Sequence, residues 1–471
     1  MKIVHISAEC YPMAKVGGLA DVVGALPKYQ EKAGHESAVI MPAYQTKFRN
    51  ENHFEIVFEN EVILGKETYP FQVLKERSGK LGFSLYLISI KEFFDRSGIY
   101  GFEDDIERFI SFQLATLDWL TSINEIPDVI NCHDHHTGLI PFLMQLAYKY
   151  KKLQNVKSVL TIHNGLYQGQ FGFDKIDYLP EFDKTHIRLL EWDNCVNSLA
   201  VGVKCAHAVT TVSPSYLQEI CHFANGLESL FTAVSYKSKG ILNGIDTEFW
   251  NPKTDTMIAA NYDLNLVNEG KNLNKLFLCE KFNLNPDLPL FGFIGRLFEE
   301  KGGDLLPETV ATILKKEKNA NFLVLGSGKS EIEQQLKDLV TVFPGNYNTF
   351  IGYDETMAHQ VYAGADFLLM PSRVEPCGLN QMYALRYGTV PIVRRTGGLQ
   401  DTITDFGDNG NGICHQQASV EDICYSVNRA IGLYEDKNLL DKIISKGMQT
   451  DHSWESVCQD YITTYQLINI I

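Results

Sequence analysis

The sequence predicts an α/β protein built from two parallel, doubly wound halves. Three observations lead there. Short apolar, β-branched runs alternate with helix-length stretches along most of the chain, the pattern of strands that need helical crossovers. The alternation occurs twice, and its second series opens at Leu290. Each series has a glycine-containing loop after its first strand, where such sheets bind ligands.

The first strand is Met1–Ser7 (MKIVHIS), followed by Lys15-Val16-Gly17-Gly18-Leu19 and a helix over Ala20–Ala33. Further strands are expected at Ser37–Met41, Phe83–Ile88, Val129–Cys132, Ser158–Ile162, Ala208–Val212 and Gly240–Leu242, with helices at Asp104–Ile123, Gly138–Tyr148 and Pro214–Cys221. A strand-rich insertion near Phe54–Val73 interrupts the alternation, and a polar stretch at Asn251–Asn274 reads as the junction. The second series has strands at Leu290–Ile294, Asn321–Leu325, Thr349–Ile351, Phe367–Met370 and Val390–Val393. Helices near Leu305–Lys316, Glu331–Val340, Glu355–Ala363, Leu379–Tyr387 and Val420–Leu433 separate them. Two such halves are expected to face each other across a cleft at the carboxyl ends of both sheets.

At 471 residues the chain exceeds one ordinary core, and two or three domains are expected. A hydrophobic content of 45% with 21% charged residues is that of a globular protein. The net charge of −16 argues against a nucleic-acid partner, which needs a basic surface, and does not penalise a neutral one such as a carbohydrate. Ten scattered cysteines without a C-x-x-C pair point to free thiols in a reducing compartment, not to a zinc ribbon. No apolar run reaches membrane-spanning length and no signal-like segment opens the chain, so a cytoplasmic protein without a membrane partner is expected.

Chemistry concentrates at predicted strand ends. Arg373-Val374-Glu375-Pro376-Cys377-Gly378-Leu379 places a carboxylate immediately before an expected helix start, with Pro376 in its first turn. A carboxylate for hydroxyls beside amides for a phosphate suggests a sugar–nucleotide pocket. Gly295-Arg296, then Lys301-Gly302-Gly303, delivers two cations suited to a diphosphate. His133-Asp134-His135-His136 ends a strand; four consecutive residues cannot all converge on one metal, so a polar substrate contact is expected there, whereas at Thr161-Ile162-His163-Asn164-Gly165, also a strand end, a hydrogen-bonded core histidine and a ligand contact are equal readings. Gly326-Ser327-Gly328-Lys329-Ser330 resembles a Walker A ending but has Leu323 in place of the first glycine. Asp405-Phe406-Gly407 lacks the other kinase motifs. The absence of any Asp-x-Asp pair disfavours a transferase that grips its donor through a metal, and neither metal nor cofactor is expected.

Taken in order, the Lys15–Leu19 loop, His133-Asp134, Thr161–Asn164, Leu242-Asn243-Gly244-Ile245-Asp246, Gly295-Arg296 with Lys301-Gly302, Glu375–Leu379 and Arg395-Thr396-Gly397-Gly398-Leu399-Gln400-Asp401-Thr402 resemble the bacterial-type glycogen synthases and plant starch synthases. The resemblance spans nearly the whole chain. It implies the GT-B fold of two Rossmann-like domains, here 1–245 on the acceptor side and 246–455 on the nucleotide-sugar side, with a helix at 456–471 returning to the first. It also implies a retaining transferase that moves glucose from ADP-glucose to the non-reducing 4-hydroxyl of an α-1,4-glucan, glycogen or a maltooligosaccharide.

By the same resemblance Glu375, His163, Asp134, Arg296 and Lys301 form the catalytic set. Lys15, Gly17, Gly18, Asp21, Tyr100, Asn164, Asn243, Tyr353, Ser372, Cys377, Gly378, Leu379 and Thr396 are the expected substrate contacts. Where many retaining GT-B enzymes carry a second glutamate, eight positions beyond the first, this chain has Tyr383, as bacterial-type synthases do. Ser97 stands where the family often has proline, before Tyr100. Two competing readings are a UDP-sugar transferase acting on a small acceptor and an inactive glucan-binding regulator; Tyr383 and the Lys15 loop count against the first, and the intact Lys15, Arg296, Lys301 and Glu375 against the second.

Overall fold

A computed structural model describes residues 1–316 and 319–470. The chain divides into two compact units, Met1–Gly244 with the Trp454–Ile470 helix, and Ile245–Ser453.

In the first unit, β1 (Lys2–Ile6), β2 (Glu36–Pro42), β3 (Phe54–Leu64), β4 (Glu67–Glu76), β5 (Ser84–Ser89), β6 (Val129–His133) and β7 (Lys157–Ile162) precede a small sheet of β8 (Gln170–Phe171), β9 (Glu191–Trp192) and β10 (Cys195–Asn197). Strands β11 (Ala208–Thr211) and β12 (Ser238–Gly240) complete a nine-stranded sheet of order β12-β11-β7-β6-β1-β2-β5-β4-β3. Every pairing from β12 to β5 is parallel, because the apolar strands are joined by helical crossovers. The expected insertion is the antiparallel β3–β4 hairpin, added beside β5. From β1 the chain moves outward to β2 and β5, then returns to the other side of β1 at β6, so the order reverses between β1 and β6. Ligands of doubly wound sheets bind at that reversal, beyond the carboxyl ends of the strands.

The core of this unit joins both ends of the sequence. Ile3, Val22, Leu26, Tyr29, Val129 and Val159 pack with Trp454, Cys458, Tyr461, Ile462, Tyr465 and Ile468. Ile471, last residue of the helix expected at 456–471, lies outside the described residues.

The second unit repeats the plan with β13 (Leu290–Ile294), β14 (Asn321–Gly326), β15 (Tyr347–Ile351), β16 (Phe367–Met370), β17 (Val390–Arg394) and β18 (Ile413–His415). All its pairings are parallel, in the order β15-β14-β13-β16-β17-β18, with the reversal between β13 and β16. The polar Asn251–Asn274 stretch lies inside this unit, and its last residues begin the helix Val267–Phe282.

Three expectations are corrected. The strand expected at Gly240–Leu242 ends at Gly240 and starts at Ser238. The helix expected over Gly138–Tyr148 is an α-helix over Ile140–Leu146, between 3-10 turns at His135–Thr137 and Tyr148–Leu153. The helix expected directly after Glu375 starts at Asn380, because Gly378 takes a left-handed φ of 75° that no helix accommodates, so Pro376 sits in a loop and not in a first turn.

Candidate functional site

In the second unit the loops after β13 and β16 meet. Lys301 Nζ lies 2.7 Å from Glu375 Oε1, and Ser372 Oγ donates to Glu375 Oε2 at 2.9 Å. The Glu375 side chain is 9% exposed, so the pair works in a poorly solvated setting where each charge needs the other. Gly302 lets the Lys301 loop approach: it has φ 71°, and a Cβ there would stand 2.5 Å from Pro371 O. A third loop, after β17, closes on the second. Gly398 N–H donates to Glu375 O and Pro376 O, both at 3.1 Å, and a Cβ at Gly397 would lie 2.0 Å from Glu375 O. The glycine pair after Thr396 is therefore required by the close approach of two strand-end loops. Asn380 Nδ2 donates to Ile294 O at 2.8 Å and ties the Asn380–Arg386 helix to the end of β13.

Arg296 is half-exposed and only loosely held, with Nη2 at 3.5 Å from Glu300 Oε2. Buried Ser372, Cys377 and Thr396 and partly buried Gly378 and Leu379 line the loops around Glu375, whereas Tyr353 is exposed beyond β15. The Walker-like segment is internally occupied: Gly328 N–H donates to Glu333 and Lys329 pairs with Glu299.

In the first unit the residues after β1, β6 and β7 converge. Asp134, at φ 56°, accepts the His163 N–H at 2.7 Å and the Asn164 N–H at 3.4 Å through Oδ1. Burial pushes its carboxyl up to about 7, against the lowering effect of those two amides. Lys15 pairs with Asp21 at 2.7 Å in the first turn of the Gly18–Lys32 helix, and Asn243 lies buried beyond β12.

Sequence reasoning missed Glu9. Its Oε2 accepts the Val16 N–H (2.5 Å) and the Gly17 N–H (3.1 Å), and its Oε1 accepts the Tyr100 hydroxyl at 2.7 Å. Burial raises the Glu9 carboxyl, while these donors lower it. One carboxylate thus shapes the glycine loop and fixes Tyr100. The Gly17 amide expected to meet a phosphate is donated to Glu9 here. No motif spacing signals this role; only its place directly after β1 could have.

The histidine run separates by task. His133 Nδ1 lies 2.9 Å from His163 Nε2, while the His135 and His136 rings pack together with centroids 3.7 Å apart. Among the described residues no group of three or more His, Cys, Asp or Glu side chains is arranged to hold a metal ion, and no helix is long and apolar enough to cross a membrane.

Comparison with known proteins finds relatives over nearly the whole chain. The family model for the starch synthase catalytic domain matches residues 2–233, and that for glycosyl transferases group 1 matches residues 275–449. A glycogen synthase of Flavobacterium johnsoniae is 67% identical over 469 residues, covering 99% of each chain. One from Exiguobacterium sibiricum is 38% identical over 482 residues, again with 99% of each covered. The solved catalytic domain of starch synthase IV from Arabidopsis thaliana, bound to ADP and acarbose, superposes with a TM-score of 0.90 at 31% identity, covering 100% of this chain and 99% of that one. A sucrose-phosphate synthase from Thermosynechococcus elongatus shares the fold at 16% identity and a TM-score of 0.65, covering 99% of this chain and 98% of its own.

Proposed function

Because this chain belongs to the glycogen and starch synthase family of GT-B glycosyltransferases, we propose that it transfers glucose from ADP-glucose to the non-reducing 4-hydroxyl of an α-1,4-glucan, with retention of configuration. The observation that carries the reading is the Lys301–Glu375–Ser372 arrangement at the reversal point of the second sheet. A cation beside a carboxylate suits a molecule that is anionic at one end and hydroxylated at the other. ADP is favoured as the nucleotide by the plant relative, which was solved with ADP and acarbose.

The Ile245–Ser453 unit is the nucleotide-sugar domain in this reading. Cleavage of the glucosyl–phosphate bond builds negative charge on the departing diphosphate, and Arg296 and Lys301 stabilise it. Glu375 holds glucose hydroxyls, with Ser372, Cys377, Gly378, Leu379 and Thr396 around it, and Tyr353 stacks on the base. The Met1–Gly244 unit, with the Trp454–Ile470 helix, is the acceptor-side domain. There Lys15 and the Gly18 amide serve the donor phosphates, while Gly17, its amide held by Glu9, shapes their loop; Asp21 lines the nucleotide site, Tyr100 is a further donor contact, and Asn164 and Asn243 line the glucosyl side. Asp134 grips the His163 amide, so the His163 main-chain oxygen is held for the positive charge that develops on the sugar ring. No carboxylate nucleophile is assigned, so the acceptor hydroxyl attacks from the face the diphosphate leaves and gives its proton to a phosphate oxygen. The proposed compartment is the cytoplasm.

The test is incorporation of labelled glucose into glycogen from ADP-glucose and UDP-glucose in parallel. Transfer from ADP-glucose with preference over UDP-glucose supports the assignment. Preference for UDP-glucose overturns the donor, and no incorporation from either overturns the activity.

A further inference from the structure

Where the chain enters and leaves the second unit there is a cavity of about 210 Å3, and none of its lining residues belongs to the loops around Glu375. Ile245 N–H donates to His452 O at 2.8 Å, and Ile245 bridges Ser453 in parallel register, so the entering and leaving segments run side by side. The Asn380–Arg386 helix contributes Met382 and Arg386 to the lining, and the end of the Lys437–Gln449 helix contributes Met448. Thr247, Asp451 and His452 add polar groups from the two segments.

The charges of this lining offset each other. Hydrogen bonds from the Ser453 side chain and N–H, the latter 2.8 Å from Oδ1, hold the Asp451 carboxyl below its ordinary value, and the Arg386 charge acts in the same direction. Arg386 Nε donates to Trp250 O at 3.3 Å, which leaves its terminal Nη groups without a hydrogen bond among the described residues. Burial lowers the proton affinity of His452, so its ring is neutral at pH 7, and its Nε2 has no hydrogen-bond partner. An anion placed here would meet Asp451 and a cation would meet Arg386, so neither is favoured. A hydroxyl both donates and accepts, and neighbouring hydroxyls on one ring can bond the carboxylate and the guanidinium together. A zwitterion would match the ion pair but leave the Thr247 hydroxyl and the neutral imidazole unused. Met382 and Met448 offer a polarisable apolar surface to the C–H face of a ring. The volume is below the roughly 300–1,000 Å3 of sites for drug-sized ligands, which limits the occupant to a single ring.

We propose that this cavity is a binding site for one neutral hexose, separate from the transfer site, in which Asp451 and Arg386 bond adjacent hydroxyls while Met382 and Met448 pack against the ring. The site stands independently of the proposed glucosyl transfer, because none of its residues is assigned to that reaction.

The experiment uses the full-length protein with 13C-labelled methionine methyls, nine in all, and Met382→Leu and Met448→Leu variants assign the two reporters. Titration with glucose is expected to move both methyls saturably with one shared Kd. No movement overturns the proposal, as does movement confined to Met370, which ends β16 beside the transfer loops. Tighter binding of inorganic phosphate or of glycine than of glucose at the same two methyls also overturns it, because the site would then be one for an anion or a zwitterion. Asp451→Asn keeps an acceptor for the Ser453 N–H but removes the charge, and is expected to raise the glucose Kd about 10–100-fold, the size of a lost hydrogen bond to a charged group. Thr247→Val removes a neutral hydroxyl and is expected to raise it about 2–10-fold. An unchanged Kd in a folded Asp451→Asn protein overturns the proposal; should that variant fail to fold, an unchanged Kd in Thr247→Val does so.

Discussion

Lys301 and Glu375 stand 2.7 Å apart although 74 positions separate them, because the loops after β13 and β16 leave neighbouring strands at the reversal of the second sheet. Replacing Glu375 by Ala, or Lys301 by Ala, is expected to lower kcat about 10²–10³-fold each, the size of losing one preorganised charged group. Each single change also strands the other charge, so the double variant is expected to lose less than the product of the two. Steady-state kinetics of the four proteins measures this. Strictly multiplicative losses would show that the two groups act independently.

Glu9 holds the Val16 and Gly17 amides and the Tyr100 hydroxyl with one carboxylate. Glu9→Ala leaves three donors without their acceptor, and the unit is expected to lose about 1–3 kcal/mol, the usual cost of unmet buried groups. The donor KM is expected to rise as the loop loses its shape. Hydrogen exchange at Val16 and Gly17 reads the cause directly: protection that survives the substitution would rule out Glu9 as the loop's organiser.

The first unit carries an acid-sensitive core. His5, His133, His135, His136 and His163 are kept neutral by burial, with proton affinities lowered, to about 4 for His5 and His135. The unfolded chain protonates these rings below about 6.5, so stability is complete above that value and falls as the pH drops toward the folded values. Each ring contributes a slope of about 1.4 kcal/mol per pH unit in that window. Asp134, Glu9, Asp21 and Asp118, whose carboxyls burial raises in the fold, oppose the trend because their ionised forms are disfavoured there, but the five histidines outnumber these four. Urea midpoints by circular dichroism are expected to fall from pH 7.5 to 5.5. Equal midpoints would contradict burial of neutral rings.

Tyr383 stacks on Trp250 with ring centroids 3.8 Å apart and planes 21° from parallel, and Trp250 stacks in turn on His359 at 4.0 Å. The position is thus part of an aromatic pile in the second unit. Tyr383→Glu, which restores the residue many small-molecule transferases carry there, is expected to destabilise the protein by about 2–4 kcal/mol through loss of packing and an unpaired buried charge. Thermal unfolding measures it, and an unshifted melting temperature would contradict the packing role.

The legible parts of the fold are those in which one short segment carries its own signal. Leu290–Ile294 and Phe367–Met370 were readable to the residue because strands buried on both faces are continuous apolar runs. The small β8–β10 sheet was not, since strands of two or three residues have no period to detect. The Val267–Phe282 helix hid behind its polarity: it packs through Lys271, whose Nζ bonds Ala363 O at 3.1 Å, Tyr387 O at 3.3 Å and Thr389 Oγ1 at 2.7 Å. Burial of a lysine that caps three carbonyl or hydroxyl oxygens leaves no hydrophobic stripe. At the site, Lys301 and Glu375 were legible from their loops, whereas Glu9 and the His5–His133–His163 line exist only once β1, β6 and β7 lie side by side.

The Trp454–Ile470 helix completes a core that begins with Ile3. Synthesis therefore runs against the order of assembly. While the ribosome still holds the last residues, the Ile245–Ser453 unit already has all its strands, but the earlier-made unit lacks Trp454, Tyr461 and Tyr465 and waits with an open apolar groove. A stop codon placed after Ser453 would thus spoil the half of the molecule translated first.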